Sequence, residues 1–260
     1  MFNFSRLKIA VLLGMISLTA SCALLPDMSG PSRSQRMSMV SDDKTALAVQ
    51  YMNIGDYRAA VSSIDAAINA RGNNEMAWMI KGLIYQSLKV PDTADQSFRR
   101  ALSIAPNSAE INNNYGWFLC TTRNQPQAAI AYFDKALADP TYPTPNLAHL
   151  NKGICRGKMG NYAAAAADIA RARALNPRHP TPMKEMARIK LMEGNSQQAQ
   201  ELMNKYQSMV EVLGPDDLLL GWKIAKARGD NQAAYEYEAQ LRSRYPASDE
   251  LAQIGGSIGF

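Results

Sequence analysis

The chain has 260 residues, 47% of them hydrophobic, enough to bury a sizeable core as one elongated domain or as two compact ones. Its formal net charge is +5. The two signs are interspersed along every segment and form no basic stripe with aromatics between, which argues against nucleic acid as a partner.

Residues 1–21 read as a targeting segment. Arg6 and Lys8 form a short positive region, Ile9 to Ala20 is apolar and too short to span a membrane, and small residues precede Cys22. Without Arg6 and Lys8, 26 basic residues face 23 acidic ones, a net of +3. An ordinary signal peptide with an incidental cysteine would look similar. The run Leu18-Thr19-Ala20-Ser21 directly before Cys22 favours a bacterial lipoprotein signal, although Thr19 stands where Leu, Val or Ile is usual. On that reading Cys22 is the lipidation site, and burial at roughly 0.8 kcal/mol per methylene makes several acyl chains a stable anchor. Ala23 follows where lipoproteins kept at the inner membrane typically carry Asp, so the expected location is the outer membrane, facing the periplasm.

Residues 22–40 are expected to form a flexible tether, since Pro26, Ser29, Gly30, Pro31, Ser32 and Ser34 cannot build a packed element. Self-similarity dominates the rest. From Glu75, the residues Trp78, Gly82, Tyr85, Ala94, Phe98, Ala101 and Pro106 fall at the spacing of the tetratricopeptide signature, with Lys81 where Leu is usual. The same frame gives six repeats over residues 41–249, starting near Ser41, Glu75, Ala109, Asn146, Pro180 and Pro215. Ala48, Tyr51, Gly55, Ala60, Ile64 and Ala67 fill the first; Gly153, Gly160, Ala165, Ile169, Ala172 and Pro177 fill the fourth. The third places Ala129, Phe133 and Ala136 only with one extra residue in its inner turn. In the sixth, Trp222 takes a position that should be small, which suggests a distorted or capping repeat. Residues 250–260 are left as a C-terminal tail.

Each repeat is a pair of antiparallel helices whose small residues let backbones approach. One hairpin cannot bury its own apolar face, so neighbours must stack. The predicted fold is all-α, a right-handed superhelix of six helix-turn-helix repeats with a concave groove.

Elements of catalysis are missing from the sequence. There is no His-Glu-x-x-His motif, only His149 and His179 are present, and no Gly-x-Ser-x-Gly elbow occurs. Gly153 to Lys158 faintly suggests a phosphate loop, but it is one residue short between its glycines, lacks Ser or Thr after Lys158 and follows no strand. No enzyme activity, cofactor, metal or small-molecule substrate is expected, and the chain reads as a scaffold that holds protein partners. Cys120 and Cys155 fall near the ends of the first helices of adjacent repeats, where a disulfide at the usual ~5.5 Å Cα spacing is feasible and an oxidising compartment favours it. Two small buried hydrophobes that never meet are the alternative.

First-helix positions two, five, nine, twelve and thirteen face the concave side in this architecture. Those positions supply Val49, Met52, Met76, Met79, Leu83, Trp117, Leu150 and Ile154, an apolar stripe suited to an amphipathic helix or an extended peptide. Lys184, Arg188, Lys223 and Lys226 follow, a basic end to the same groove.

Six such repeats behind a lipobox-like cysteine and a short tether resemble the PilF/PilW family of type IV pilus biogenesis lipoproteins, the pilotins. The stretch Asn113-Asn114-Tyr115-Gly116-Trp117-Phe118-Leu119-Cys120 looks like that family's third repeat. The resemblance implies an outer-membrane protein that assembles, localises or stabilises a secretin multimer, with the secretin subunit and other pilus assembly proteins as partners. A general periplasmic adaptor for cell-envelope assembly enzymes would use the same groove.

Overall fold

The computed structural model describes residues 30–256. All the regular structure among them is helical, in thirteen helices. Six hairpins follow one another: α1 (Arg33–Asn53) with α2 (Tyr57–Ala70), α3 (Glu75–Ser87) with α4 (Pro91–Ile104), and α5 (Ala109–Thr121) with α6 (Pro126–Leu137). Then come α7 (Pro145–Lys158) with α8 (Tyr162–Leu175), α9 (Thr181–Met192) with α10 (Ser196–Gln207), and α11 (Pro215–Ala227) with α12 (Asn231–Arg244). A last short helix, α13 (Asp249–Gly256), closes the series. Helices touch only within a hairpin or between neighbouring hairpins, the contact pattern of a stacked superhelix.

The turns show why the hairpins form. Asp56, Asn74, Asn195 and Asp230 each cap the helix that follows by accepting a backbone N–H three residues on, and Pro91, Pro126 and Pro145 begin helices where no N–H is needed. Every inner turn has one residue in the left-handed region. Gly55, Gly160, Gly194 and Gly229 fill it in four repeats, Lys89 (φ 57°) and Asn124 (φ 53°) in the second and third. A residue with a Cβ is disfavoured there, so the frame of the superhelix holds these two side chains in place.

Small residues admit the partner helix as the repeat frame predicts. A Cβ on Gly82 would lie 2.9 Å from the Phe98 ring. One on Gly153 would meet Ile169 Cγ1 at 2.7 Å and the Ala165 carbonyl oxygen at 3.0 Å. Ala60, Ala94, Ala129, Ala165 and Ala199 are all completely buried against them. The largest core cluster runs through the first three repeats into the fourth, from Ala48 to Cys155, with Phe98, Tyr115 and Phe118 packed ring to ring at 5.2–6.0 Å between centroids.

Three sequence expectations are corrected. The tether expected over 22–40 ends earlier, because α1 starts at Arg33: Ser32 and Gln35 form a reciprocal capping box that makes 33–40 helical. The tail expected over 250–260 is helical to Gly256, with Leu251 and Ile254 packed on Leu218, Leu219 and Leu241. In the sixth repeat the small position belongs to Gly221, whose Cβ would stand 2.5 Å from the Tyr237 ring, and not to Trp222. As in the third repeat, one extra residue separates it from the next small position, Ala234. Residues 1–21 and the lipidation site Cys22 lie outside the described residues.

Candidate partner-binding groove

Successive first helices bring Trp117 of α5, Ile154 of α7, and Arg188, Ile189 and Met192 of α9 around one cleft of about 280 Å³. Thr121, Lys158 and Glu185 complete its wall. The ninth position of each repeat thus supplies Trp117, Ile154 and Arg188, as the sequence frame anticipates. The thirteenth position supplies Thr121, Lys158 and Met192, which a search for an apolar stripe among the earlier repeats passes over; Met192 is 43% exposed. Val49, Met52, Met76 and Leu83 are half-buried on the first core cluster and keep part of their surface free.

The fifth position behaves differently. Met79 (1% exposed) and Leu150 (6%) are core residues and line no groove. Met79 reaches along the stack to the next first helix, where Asn114 Nδ2 donates to its sulfur at 3.4 Å, and Leu150 packs in a cluster of α8 residues that also takes in Ile189 of α9. Asn113, at the same position in the third repeat, is buried and accepts from Asn151 Nδ2 at 3.1 Å.

The basic end is also corrected, because the charges of Lys184 and Arg188 are paired with acids. Lys184 Nζ lies 2.9 Å from Asp217 and 3.1 Å from Asp216, and Arg188 binds Asp216 at 2.8 Å and Glu185 at 3.0 Å. Burial alone would lower the Lys184 pKa, but the hydrogen bond it donates to Asp217 and the charge of Asp216 outweigh it and hold the ammonium well above its usual range. Asp216 shifts the opposite way. Burial would raise its carboxyl, and Arg188 and Lys184 more than offset this, leaving it lowered. Beside them Tyr206 is pushed up to about 12 by burial and by its hydrogen bond with Asp217. Lys223 and Lys226 remain exposed on α11; Lys223 reaches Gln253 of α13 and Lys226 reaches Asn231 on α12, so neither turns toward the cleft at Trp117.

Behind the cleft, Cys120 and Cys155 are bridged in the structure across α5 and α7, with Cα atoms 6.0 Å apart and a separation of 35 in sequence. Both are completely buried. On the far side of α7, Arg156 gives Asp168 of α8 a 2.6 Å ion pair. His149 Nδ1 stands 3.7 Å from the other oxygen of the same carboxylate, too far for a hydrogen bond, and is buried without a partner. Burial therefore dominates over the Asp168 charge and lowers the His149 pKa. Among the described residues no group of three His, Cys, Asp or Glu side chains could hold a metal ion, and the cleft carries no nucleophile paired to a base. What its geometry offers is an apolar floor with charged edges, suited to a peptide side chain.

Comparison with known proteins agrees with this architecture. The tetratricopeptide repeat model matches residues 77–108. The type IV pilus assembly protein PilF of Pseudomonas aeruginosa strain PAO1 is 26% identical over 210 residues, 80% of this chain and 82% of that protein. A crystal structure of PilW, described as a widely conserved type IV pilus biogenesis factor, superposes with a TM-score of 0.75 at 57% identity, covering 83% of this chain and 98% of that one. A solved structure of Pseudomonas aeruginosa PilF superposes with a TM-score of 0.68 at 24% identity, covering 85% and 99%. At 57% identity to PilW over 98% of that chain, and with the same fold, the chain belongs to the PilF/PilW family of type IV pilus biogenesis proteins.

Proposed function

We propose that this protein is an outer-membrane lipoprotein, anchored through Cys22 and facing the periplasm, that supports type IV pilus biogenesis by holding a segment of the secretin subunit in its groove. Binding, and not catalysis, is its activity. The observation that carries the reading is the cleft shared by Trp117, Ile154 and Met192 on three successive repeats. Half-buried aromatic and thioether groups on a rigid wall are the kind of anchor pocket that takes an apolar side chain from a partner. Participation in pilus biogenesis is carried over from the relatives named PilW and PilF.

The test compares cells with and without the protein for heat- and detergent-resistant secretin multimers and for surface pili. Deletion is expected to remove one or both. Wild type should restore them and a Trp117→Glu, Ile154→Glu variant should not, while keeping its helical circular dichroism. Met79 is unsuitable for this purpose because a carboxylate there would be buried without a partner and would unfold the second repeat. Unchanged multimers and normal piliation on deletion would overturn the secretin reading and leave a general adaptor for cell-envelope assembly enzymes. Separately, Cys22→Ser is expected to release the protein from membranes; continued retention would reject the acyl anchor.

A further inference from the structure

The first two turns of α1 extend past the helix they pair with. The lower end of that hairpin is fixed by Ser41, whose Oγ donates to the Ala67 carbonyl at 2.8 Å, and by the Asp42–Arg71 ion pair at 2.8 Å. Residues 33–40 lie beyond both, an overhang of about 12 Å at 1.5 Å per residue. Its side chains are sorted by face. At about 100° per residue, Met39, Arg36, Val40, Arg33 and Met37 share an arc of about 160°. Ser34, Gln35 and Ser38 take the opposite side.

That sorting runs against the core. The buried stripe of α1 is Ser41, Thr45 and Ala48, and Ser34 and Ser38 are what continue it into the overhang. Met39 and Val40 therefore face away from the stripe that packs on the rest of the chain, Met37 borders it one turn before Ser41, and Met37 (40%), Met39 (58%) and Val40 (43%) are all exposed. Arg36 reaches back to the Pro31 carbonyl, and neither Arg33 nor Arg36 has a carboxylate partner among the described residues. The nearest acid toward the core, Asp42, is taken by Arg71 and Asn74. Two unneutralised guanidinium groups interleaved with flexible apolar side chains on one helix face suit an anionic lipid interface, where apolar burial and headgroup charge add.

Chain length favours the same occupant. Ten residues separate Cys22 from Arg33, and the eleven Cα–Cα steps can span at most about 35–40 Å. An acyl anchor at Cys22 would hold this helix face within reach of the membrane continuously and raise its effective concentration there. We infer that the Arg33–Val40 overhang of α1 is a membrane-docking face that lies on anionic phospholipid and orients the repeat stack relative to the bilayer. The inference extends the anchoring reading, but its test does not use the acyl chain, so either can fail alone.

The experiment takes residues 22–260 with Cys22→Ser and measures co-flotation with vesicles of phosphatidylcholine containing about one-third phosphatidylglycerol, against phosphatidylcholine alone. Partition into the anionic vesicles is expected, and Arg33→Glu, Arg36→Glu should weaken it at least about tenfold, since each Arg near such a surface is worth about 1 kcal/mol. Folding is not at risk in that variant, because Ser32 and Gln35 keep the cap and acids are favourable in a first turn. Lys223→Glu, Lys226→Glu, at the other end of the stack, should leave partition unchanged. A polarity-sensitive dye on Met39→Cys should shift to the blue with the anionic vesicles. No partition, equal partition of the Arg33/Arg36 variant, or binding without a dye shift would overturn the inference; the last two would place the lipid contact on another face.

Discussion

At Gly153 two opposing effects have to be weighed. Replacing Gly by Ala inside a helix gains up to about 1 kcal/mol in propensity. Here the new Cβ would meet a backbone carbonyl at 3.0 Å and a β-branched Ile169 at 2.7 Å, so α7 and α8 must separate, and overpacking of this kind costs about 1–3 kcal/mol. Gly153→Ala is therefore expected to lower the denaturation midpoint, and Gly153→Val to lower it further; an unchanged midpoint would mean that the hairpin is looser than its geometry. His149 gives a second residue-scale prediction. Its folded-state pKa lies below the unfolded value of about 6.5, so the unfolded chain binds the extra proton first and stability falls as pH drops through that region. Thermal unfolding at pH 7.5 and pH 5.5 should show a loss in the parent that is smaller in His149→Gln. Equal losses would assign the effect elsewhere.

What the residues disclose by themselves divides along the same line. The repeat was legible because Gly82, Ala94, Gly153 and Ala165 are small for a reason internal to one hairpin, and spacing in sequence reports that directly. Met79 and Leu150 belong to the core and not to the groove because position five packs on the neighbouring repeat, and a single-hairpin frame does not say how deep the next helix sits. The pairing of Lys184 and Arg188 was hidden because Asp216 lies 28 to 32 residues away, in a repeat where Trp222 displaced the frame by one.

At the scale of elements, α13 stands where the first helix of a seventh repeat would stack. Its two apolar residues, Leu251 and Ile254, cover Leu218 and Leu219 of α11, and Trp222 and Tyr245 join the same cluster. So short an amphipathic segment was not separable from a tail by periodicity. Ending the chain after Ser248 uncovers that cluster, and losing the burial of two aliphatic side chains costs about 3–6 kcal/mol as an upper estimate. Because stability in a stack is a sum of local and nearest-neighbour contributions, the loss should concentrate in the sixth repeat. Hydrogen exchange should show faster exchange in α11 and α12 and unchanged protection in α3 to α6. A uniform loss would mean that the six repeats unfold as one unit.

For the whole molecule, the Cys120–Cys155 bridge joins α5 to α7 behind the groove and spans the turn with Pro140 and Pro143 that separates the third repeat from the fourth. Mass spectrometry of unreduced protein taken from cells is expected to recover the two cysteines linked. Closing a loop of this size is worth up to about 4 kcal/mol on the chain-entropy model, so reductant should lower stability by a few kcal/mol. Free thiols, or no change on reduction, would reject a structural bridge in the cell. The neighbouring Trp117 and Ile154 suggest what the bridge is for: it fixes the spacing of the two repeats whose ninth positions form the cleft floor.

The successive first helices are not fastened alike. Met79 and Asn114 meet between α3 and α5, a covalent bridge joins α5 to α7, Gly157 lies against Ile189 between α7 and α9, and Lys184 and Arg188 grip Asp216 and Asp217 between α9 and α11. Such a stack is not a uniform spring. Cold weakens apolar seams and reductant opens the bridged one, while the charged one, largely buried, feels dissolved salt far less than an exposed pair would. Curvature in the N-terminal repeats and curvature at the C-terminal end therefore rest on interactions of different kinds, and a change in the surrounding fluid need not act on both alike.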